Sequence, residues 1–248
     1  MEGVDFNNII DNNDNIVDLS KYKKSMSPGA AASKPKYVID VDGAIAYFKF
    51  RLTTEEICAE IFAYRIAVAL DIPAAITKLA KYKGDIGIAS FDIGKYSEPS
   101  DEFSYSIKDF LEIEQFVEMC LFDCLIMNED RHCKNWGIRN GNIAPVFDHN
   151  ISFSLSYNEN NMEDAMRHLT SAFYVETENE YHQDDIVKFF TVEYGDRVLA
   201  FIDSLNRLTD FSIPELEVIY PAEYEKTLEI LKFRVSYLKN EVEKWKKS

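Results

Sequence analysis

The chain has 248 residues, of which 46% are hydrophobic and 13% aromatic, so it has ample material for a folded core and is not a disordered protein. Its formal net charge of -16 repels nucleic-acid phosphates and anionic lipid headgroups, and direct binding to DNA, RNA or a membrane surface is therefore not expected. At about 150 residues per average domain, this length predicts one large domain or two small ones.

A targeting signal of the usual kinds is not expected from this sequence. No apolar stretch reaches the roughly 18 residues that span a bilayer, and the N-terminus is acidic and rich in asparagine where a secretory signal is basic and then apolar. A cytoplasmic protein is predicted, with export or delivery to a host without a conventional signal as the alternative. The four cysteines form no C-x-x-C pair, which predicts reduced thiols, and Cys120 and Cys124 are expected to pack in the core rather than bind metal.

The first hundred residues favour strands. Small residues, Gly29 and several lysines predict a flexible basic loop over 20–37. Two apolar segments, 38–42 and 44–50, are joined by Asp42-Gly43, which predicts a β-hairpin because glycine tolerates a positive φ. Two more short strands are predicted over 76–92, and a polar linker follows over 94–102.

Helices are predicted between these strands and throughout the second half. Thr53 or Thr54 can cap a helix over 55–70, with Glu60 bordering an apolar stripe formed by Ile57, Ile61, Tyr64 and Val68. A long core helix is predicted over 107–128, and helical periodicity returns over 183–206 and 222–246. Strands before helices argue for an α+β fold with a strand-rich lobe and then a helical lobe.

The most informative stretch is 128–148. Asn140-Gly141 predicts a two-residue hairpin turn, which sets 139 opposite 142, 137 opposite 144 and 135 opposite 146. In that register Asn135 and Asp148 project from the same face at one end of the hairpin, and Asp130 lies in the loop that enters it. An amide oxygen and a carboxylate, completed by water and phosphate oxygens, suit Mg²⁺.

This stretch resembles the catalytic and metal-binding segments of HipA-like bacterial serine/threonine kinases. The shared residues stand in order: Asn128, Asp130, His132, Lys134, Asn135 and, in Pro145-Val-Phe-Asp148, the final aspartate. Upstream, Ala46–Phe50 is similar to the strand that carries the ATP lysine, and the segment around Glu60 is similar to the helix that supplies its glutamate partner. The similarity covers about residues 25–150 and implies a bilobal protein-kinase-like fold.

The resemblance implies catalytic and metal-binding roles. Asp130 would orient the attacking hydroxyl or accept its proton, and Lys134 would neutralise charge on the transferred phosphoryl group. Asn135 and Asp148 would hold Mg²⁺ or Mn²⁺. His132 is expected to be structural, packing the loop.

The nucleotide-binding residues implied by the resemblance lie in the first lobe. Lys49 would contact the α- and β-phosphates of ATP and Glu60 would orient it. Gly29 and Ser33 belong to the segment expected to cover the phosphates, which is poor in glycine by comparison with the family, so phosphate binding there is the least supported role. Phe91 lies in the strand expected to enter the hinge.

The resemblance also bears on organisation and regulation. It implies an N-terminal extension over 1–24, a kinase-like N-lobe over 25–95 and a helical C-lobe over 96–248. Only about 25 residues precede the predicted loop, so the expected type is the short form without the family's N-terminal subdomain. A regulatory serine in that loop has three approximate candidates: Ser25, Ser27 and Ser33. The expected partners are a protein substrate with a serine or threonine acceptor and an antitoxin or regulatory protein.

Two other functions fit parts of the sequence. The first is a catalytically silent nucleotide-binding module that acts as a toxin-antitoxin or regulatory interaction protein. The second is a metal-dependent phosphohydrolase built from His132, Asp148 and His149, which lacks a second histidine pair at ligand spacing. Taken singly, Lys49 could be a solvated strand end and Glu60 a surface helix residue, but five such residues in kinase order favour a kinase.

Overall fold

The computed structural model describes residues 16–26, 36–98, 107–131, 134–154, 170–171 and 181–247. Its strands are β1 (Val17–Asp18), β2 (Lys24–Met26), β3 (Lys36–Val41), β4 (Ala44–Phe50), β5 (Thr77–Tyr82), β6 (Asp85–Phe91), β7 (Ile138–Arg139), β8 (Asn142–Ile143), β9 (Thr170–Ser171) and β10 (Tyr181–His182). Its α-helices are α1 (Thr54–Ala69), α2 (Phe116–Ile126), α3 (Gln183–Glu193), α4 (Gly195–Ser204), α5 (Pro214–Ile219) and α6 (Pro221–Trp245). Short 3-10 helices occupy Ile107–Phe110 and Leu205–Leu208.

Six strands form one sheet in the order β1-β5-β6-β4-β3-β2. Every neighbouring pair is antiparallel except β1 and β5. The predicted hairpin at Asp42-Gly43 is present, and the two short strands predicted over 76–92 also form a hairpin. The two turns place Asp42, Gly43, Lys83 and Gly84 at positive φ, as tight two-residue turns require. The predicted α+β fold, with strands first and helices after, is confirmed.

Helix α1 begins at a capping box. The Thr53 hydroxyl accepts from the Glu56 amide at 3.2 Å, and the Glu56 carboxylate accepts from the Thr53 amide at 2.8 Å. Helix α1 lies between the sheet and α6, so residues around most of its circumference are buried. The buried surface is therefore wider than the single apolar stripe that the sequence predicted. Val68, assigned to that stripe, is 55% exposed, whereas Glu60 is only 1% exposed.

The predicted long helix over 107–128 is wrong in its first half. A 3-10 turn over Ile107–Phe110 is followed by a break, and α2 begins only after Gln115, which has φ 65°. The backbone at Glu114 bonds instead to the hairpin of β7 and β8: its amide donates to the Gly141 carbonyl and its carbonyl accepts from the Ile143 amide, both at 3.2 Å. A continuous helix would need those same groups for its own hydrogen bonds.

The core has two parts. The larger packs the helices against one another and against one face of the sheet, and α2 is buried along almost its whole length. The smaller lies on the other sheet face and includes Ile39, Phe48, Tyr82 and Phe91. Among the described residues, no helix combines the length and apolar character needed to cross a membrane.

Candidate active site

Lys49 lies on the sheet face that packs against α1. It pairs across the strands with Ile88, which belongs to the helical core, and with Lys36 on the other side. The alternate residues of β4, Ala46 and Phe48, belong to the core on the opposite face. Strand alternation therefore directs Lys49 toward α1.

Lys49 joins two carboxylates that are distant in sequence. Its Nζ lies 2.5 Å from Glu60 Oε1 and 2.9 Å from Asp148 Oδ1. Burial by itself would lower the pKa of Lys49, but the negative charges of Glu60 and Asp148 outweigh burial and raise that pKa above its ordinary value. The lysine is therefore held as a cation between the first lobe and the loop that carries Asp148.

Asp148 has a left-handed backbone conformation and a partly exposed side chain. It has φ 61°, in the left-handed region, and its side chain is 41% exposed. Burial opposes ionisation of this carboxyl, but Lys49, then Lys36 and Arg131, hold its pKa below the ordinary value. An ionised carboxylate with an open side is a suitable ligand for a hard cation.

Asp130 and Asn135 lie side by side. The Asn135 Nδ2 donates to the Asp130 carbonyl at 2.8 Å and to Asp130 Oδ2 at 3.3 Å. Asn135 is buried, whereas Asp130 is half-buried. These two hydrogen bonds fix the orientation of the Asn135 amide, because its nitrogen donates to Asp130. The amide oxygen, which is an acceptor, is the atom suited to bind a cation.

The predicted hairpin holds at its turn and fails at its open end. Arg139 pairs with Asn142 as expected, and the Ala144 amide donates to the Gly137 carbonyl at 2.7 Å. The expected 135–146 pair is absent, because the Val146 amide donates to the Pro73 carbonyl and the Val146 carbonyl accepts from the Ala75 amide, both at 2.9 Å. The ladder thus ends before Asn135 and Asp148.

A buried arginine that the sequence patterns did not predict joins these loops instead. Arg131 donates through Nη1 to the carbonyls of Asn135, at 2.7 Å, and Phe147, at 3.1 Å. Its Nε and Nη2 each donate to one oxygen of Asp123 at 2.9 Å, and Nη2 lies 3.1 Å from His149 Nδ1. The sequence does contain one sign of this arginine. Asp123 lies among apolar residues of α2, and a carboxylate buried there needs a partner of opposite charge.

The remaining predicted site residues lie elsewhere or outside the described residues. Lys134 is exposed and adjoins Asn135 in the chain. Phe91 pairs with Ala46 and packs in the smaller core, on the opposite sheet face from Lys49, so its side chain is not among the residues brought together here. Four predicted positions lie outside the described residues: Ser27, Gly29, Ser33 and His132. Ser25 lies on β2, where its hydroxyl donates to the Val38 carbonyl at 3.4 Å.

The predicted core packing of Cys120 and Cys124 is confirmed, since both side chains are buried. Cys58, Cys120 and Cys124 are buried and free, and burial raises the pKa of both Cys58 and Cys124 to about 12. Within the described part of the chain, no group of three or more His, Cys, Asp or Glu side chains lies close enough to hold a metal ion. Mg²⁺ commonly takes one or two protein oxygen ligands and completes its shell with water and phosphate oxygens, which suits the pair Asn135 and Asp148.

Gly87 supports the position of Lys49 from the neighbouring strand. A Cβ built on Gly87 would lie 2.0 Å from the Lys49 carbonyl oxygen, a backbone atom that cannot rotate away. We expect Gly87→Ala to displace β4, to lower the free energy of unfolding by roughly 1–3 kcal/mol and to weaken any ligand binding at Lys49. Gly195→Ala is the matched control, since nothing lies within 4 Å of its Cβ. Equal urea unfolding midpoints for the two variants would contradict this reasoning.

Known structures share this architecture. The proinflammatory kinase CtkA from Helicobacter pylori matches with a TM-score of 0.68 at 17% sequence identity, over 94% of this chain and 97% of that one. HipA from Shewanella oneidensis MR-1, in a toxin-antitoxin complex with HipB and operator DNA, matches with a TM-score of 0.55 at 12% identity, over 91% of this chain and 68% of that one. No family model and no curated protein matches the chain. The chain therefore has the fold of the HipA-like kinases, and the predicted resemblance is confirmed at that level.

Proposed function

We propose that this protein is a serine/threonine protein kinase of the HipA-like type that uses ATP and Mg²⁺ or Mn²⁺. The observation that carries the proposal is the contact of one lysine with two carboxylates, Glu60 and Asp148, that are 11 and 99 residues away in sequence. A buried lysine oriented by a helix glutamate, beside a loop aspartate, is the arrangement that places a nucleotide triphosphate against a metal ion in kinases. The shared fold adds independent support.

The proposed chemistry is divided between the two lobes. Lys49 would hold the α- and β-phosphates, with Glu60 fixing its direction. Asp130 would orient the acceptor hydroxyl and receive its proton while the new oxygen–phosphorus bond forms, the bond from the γ-phosphorus to its bridging oxygen breaks, and ADP leaves. Lys134, exposed beside Asn135, would neutralise charge on the transferred group.

The donor set of the site fits Mg²⁺. Asn135 offers an amide oxygen and Asp148 an ionised, partly exposed carboxylate, and both are oxygen ligands of the kind that Mg²⁺ takes when phosphates complete its shell. When bound, the cation would neutralise charge on the phosphates. The protein would contribute the spacing of these two ligands.

We propose a protein substrate with a serine or threonine acceptor and, as a second partner, an antitoxin or regulatory protein; the HipA structure is a toxin-antitoxin complex that contains HipB. Gly29 and Ser33 are proposed to cover the phosphates, and a backbone contribution to the base is proposed near Phe91. The proposed location is the cytoplasm, with delivery to a host as the alternative.

Mass spectrometry of the protein incubated with ATP and Mg²⁺, alone and with cell lysate, tests the proposal. We expect new phosphoserine or phosphothreonine on the chain or on an added protein, and far less of it with the Asp130→Ala control at the same incubation time. Nucleotide binding without any phosphosite would favour the silent module. Release of free phosphate without transfer to protein would favour the phosphohydrolase.

A further inference from the structure

Arg131 has every donor of its guanidinium engaged although it is fully buried. Five N–H groups are available, and five acceptor atoms lie within 3.1 Å: two oxygens of Asp123, the carbonyls of Asn135 and Phe147, and Nδ1 of His149. Arg131 itself is 0% exposed. Such complete use of a rigid, planar fork fixes the relative positions of the groups that it joins.

Two of those groups belong to the loops that carry the proposed metal ligands. The carbonyl of Asn135 and the carbonyl that precedes Asp148 both accept from the same nitrogen, Arg131 Nη1. The hairpin ladder cannot set this spacing, because Val146 pairs with Pro73 and Ala75. The hydrogen bonds of Arg131 thus connect the two loops where strand pairing does not.

The same network reaches the proposed catalytic aspartate. Asp123 accepts from Asn128 Nδ2 at 2.9 Å, and Asn128 Oδ1 accepts from the Asp130 amide at 3.1 Å. Asp123 is itself anchored on α2, one of the most buried helices of the fold. The loop of Asp130 is therefore tied to the same rigid element as the loops of Asn135 and Asp148.

We propose that Arg131 is a positioning residue that sets the separation of Asn135 and Asp148, and thereby the affinity of the site for its divalent cation. The part concerning the cation rests on the proposed function. The part concerning the two loops rests on the contacts of Arg131 alone. Any buried guanidinium needs acceptors for its two Nη1 donors, and here those acceptors belong to the loops of both proposed metal ligands.

The test compares Arg131→Lys with Arg234→Lys. Lysine keeps the charge that Asp123 requires but cannot span a carboxylate and two carbonyls at once. Arg234 is the matched control because it is equally buried and donates to the Cys124 carbonyl and to Gln183 Oε1, both at 2.9 Å. Amide hydrogen exchange is measured without ligand, and ATP binding is titrated with Mg²⁺ and in the presence of a chelator.

We expect Arg131→Lys to speed exchange over 134–137 and 146–149 and to raise the Mg²⁺ concentration needed for half-maximal ATP binding at least tenfold. The affinity for ATP in the presence of a chelator, where binding depends on Lys49, should change less than twofold. Arg234→Lys should leave the Mg²⁺ requirement unchanged even if it lowers the melting temperature. Equal Mg²⁺ requirements in the two variants, or unchanged exchange in both loops, would overturn the proposal.

Two further outcomes are decisive. If Arg131→Lys does not fold, Asp123→Asn keeps the shape of the partner while weakening the fork, and the same loops should exchange faster; no change there overturns the proposal. If the wild-type protein binds no nucleotide with or without metal, the proposed function fails. The exchange measurement then decides the positioning role by itself.

Discussion

Lys49→Met is expected to abolish phosphotransfer and to lower the free energy of unfolding by about 3 kcal/mol. The variant leaves the carboxylate of Glu60, which is 1% exposed, without its cation, and removing one partner of a buried ion pair costs roughly 3–5 kcal/mol. It also removes the cation proposed to hold the phosphates. Urea unfolding and a phosphotransfer assay measure the two effects separately.

The double variant Lys49→Met/Glu60→Leu distinguishes stability from function. Replacing both members of a buried ion pair with apolar residues is often neutral for stability, so most of the lost unfolding free energy should return. Phosphotransfer should not return, because the phosphates still lack their lysine. Recovery of activity in the double variant would refute the role assigned to Lys49.

Asp148→Ala and Asp130→Ala are expected to fail at different steps. If Asp148 holds the cation that neutralises the phosphates, its loss should remove most metal-dependent ATP affinity. If Asp130 orients the acceptor hydroxyl, its loss should leave MgATP binding nearly normal and slow transfer by about 10²–10⁴-fold, since that contact belongs to the transition state.

Thermal unfolding with MgATP separates these two outcomes. Ligand at 100 times its dissociation constant adds about 2.7 kcal/mol of stability, which raises the melting temperature of a chain of this size by several degrees. The shift should persist in Asp130→Ala and largely vanish in Asp148→Ala. Full phosphotransfer by both variants would show that the site assignment is wrong, and equal loss of binding would show that their division of roles is wrong.

The sequence by itself was sufficient for the features that depend on neighbouring residues. The turns at Asp42-Gly43 and Asn140-Gly141 were predictable because Asp-Gly and Asn-Gly are among the few residue pairs that adopt positive φ at low cost. The start of α1 followed from the capping residues that precede it. The α+β order and the succession of Lys49, Glu60, Asp130, Asn135 and Asp148 could likewise be read along the chain.

The partners that backbone groups find far along the chain depend on how the chain is packed. Residues 111–115 lie between two helical segments of the chain, but they are not helical themselves. The backbone of Glu114 bonds to the hairpin around Gly141, and α2 begins only after Gln115. Val146 is diverted to Pro73 and Ala75 in the same way, which opens the predicted ladder. Local propensity is worth only tenths of a kcal/mol per residue, so a buried backbone group takes whichever partner the packed chain offers.

The same reasoning explains why the site could be only partly predicted. Sequence order and resemblance identified the residues that would touch a nucleotide, a cation or an acceptor. The contact of Lys49 with carboxylates 11 and 99 residues away, and the joining of two loops by Arg131, required the lobes and α2 to be packed. The role of Arg131 in the site depends on the acceptors that surround its guanidinium. Those acceptors lie on three separate segments of the chain, which come together only when the protein folds.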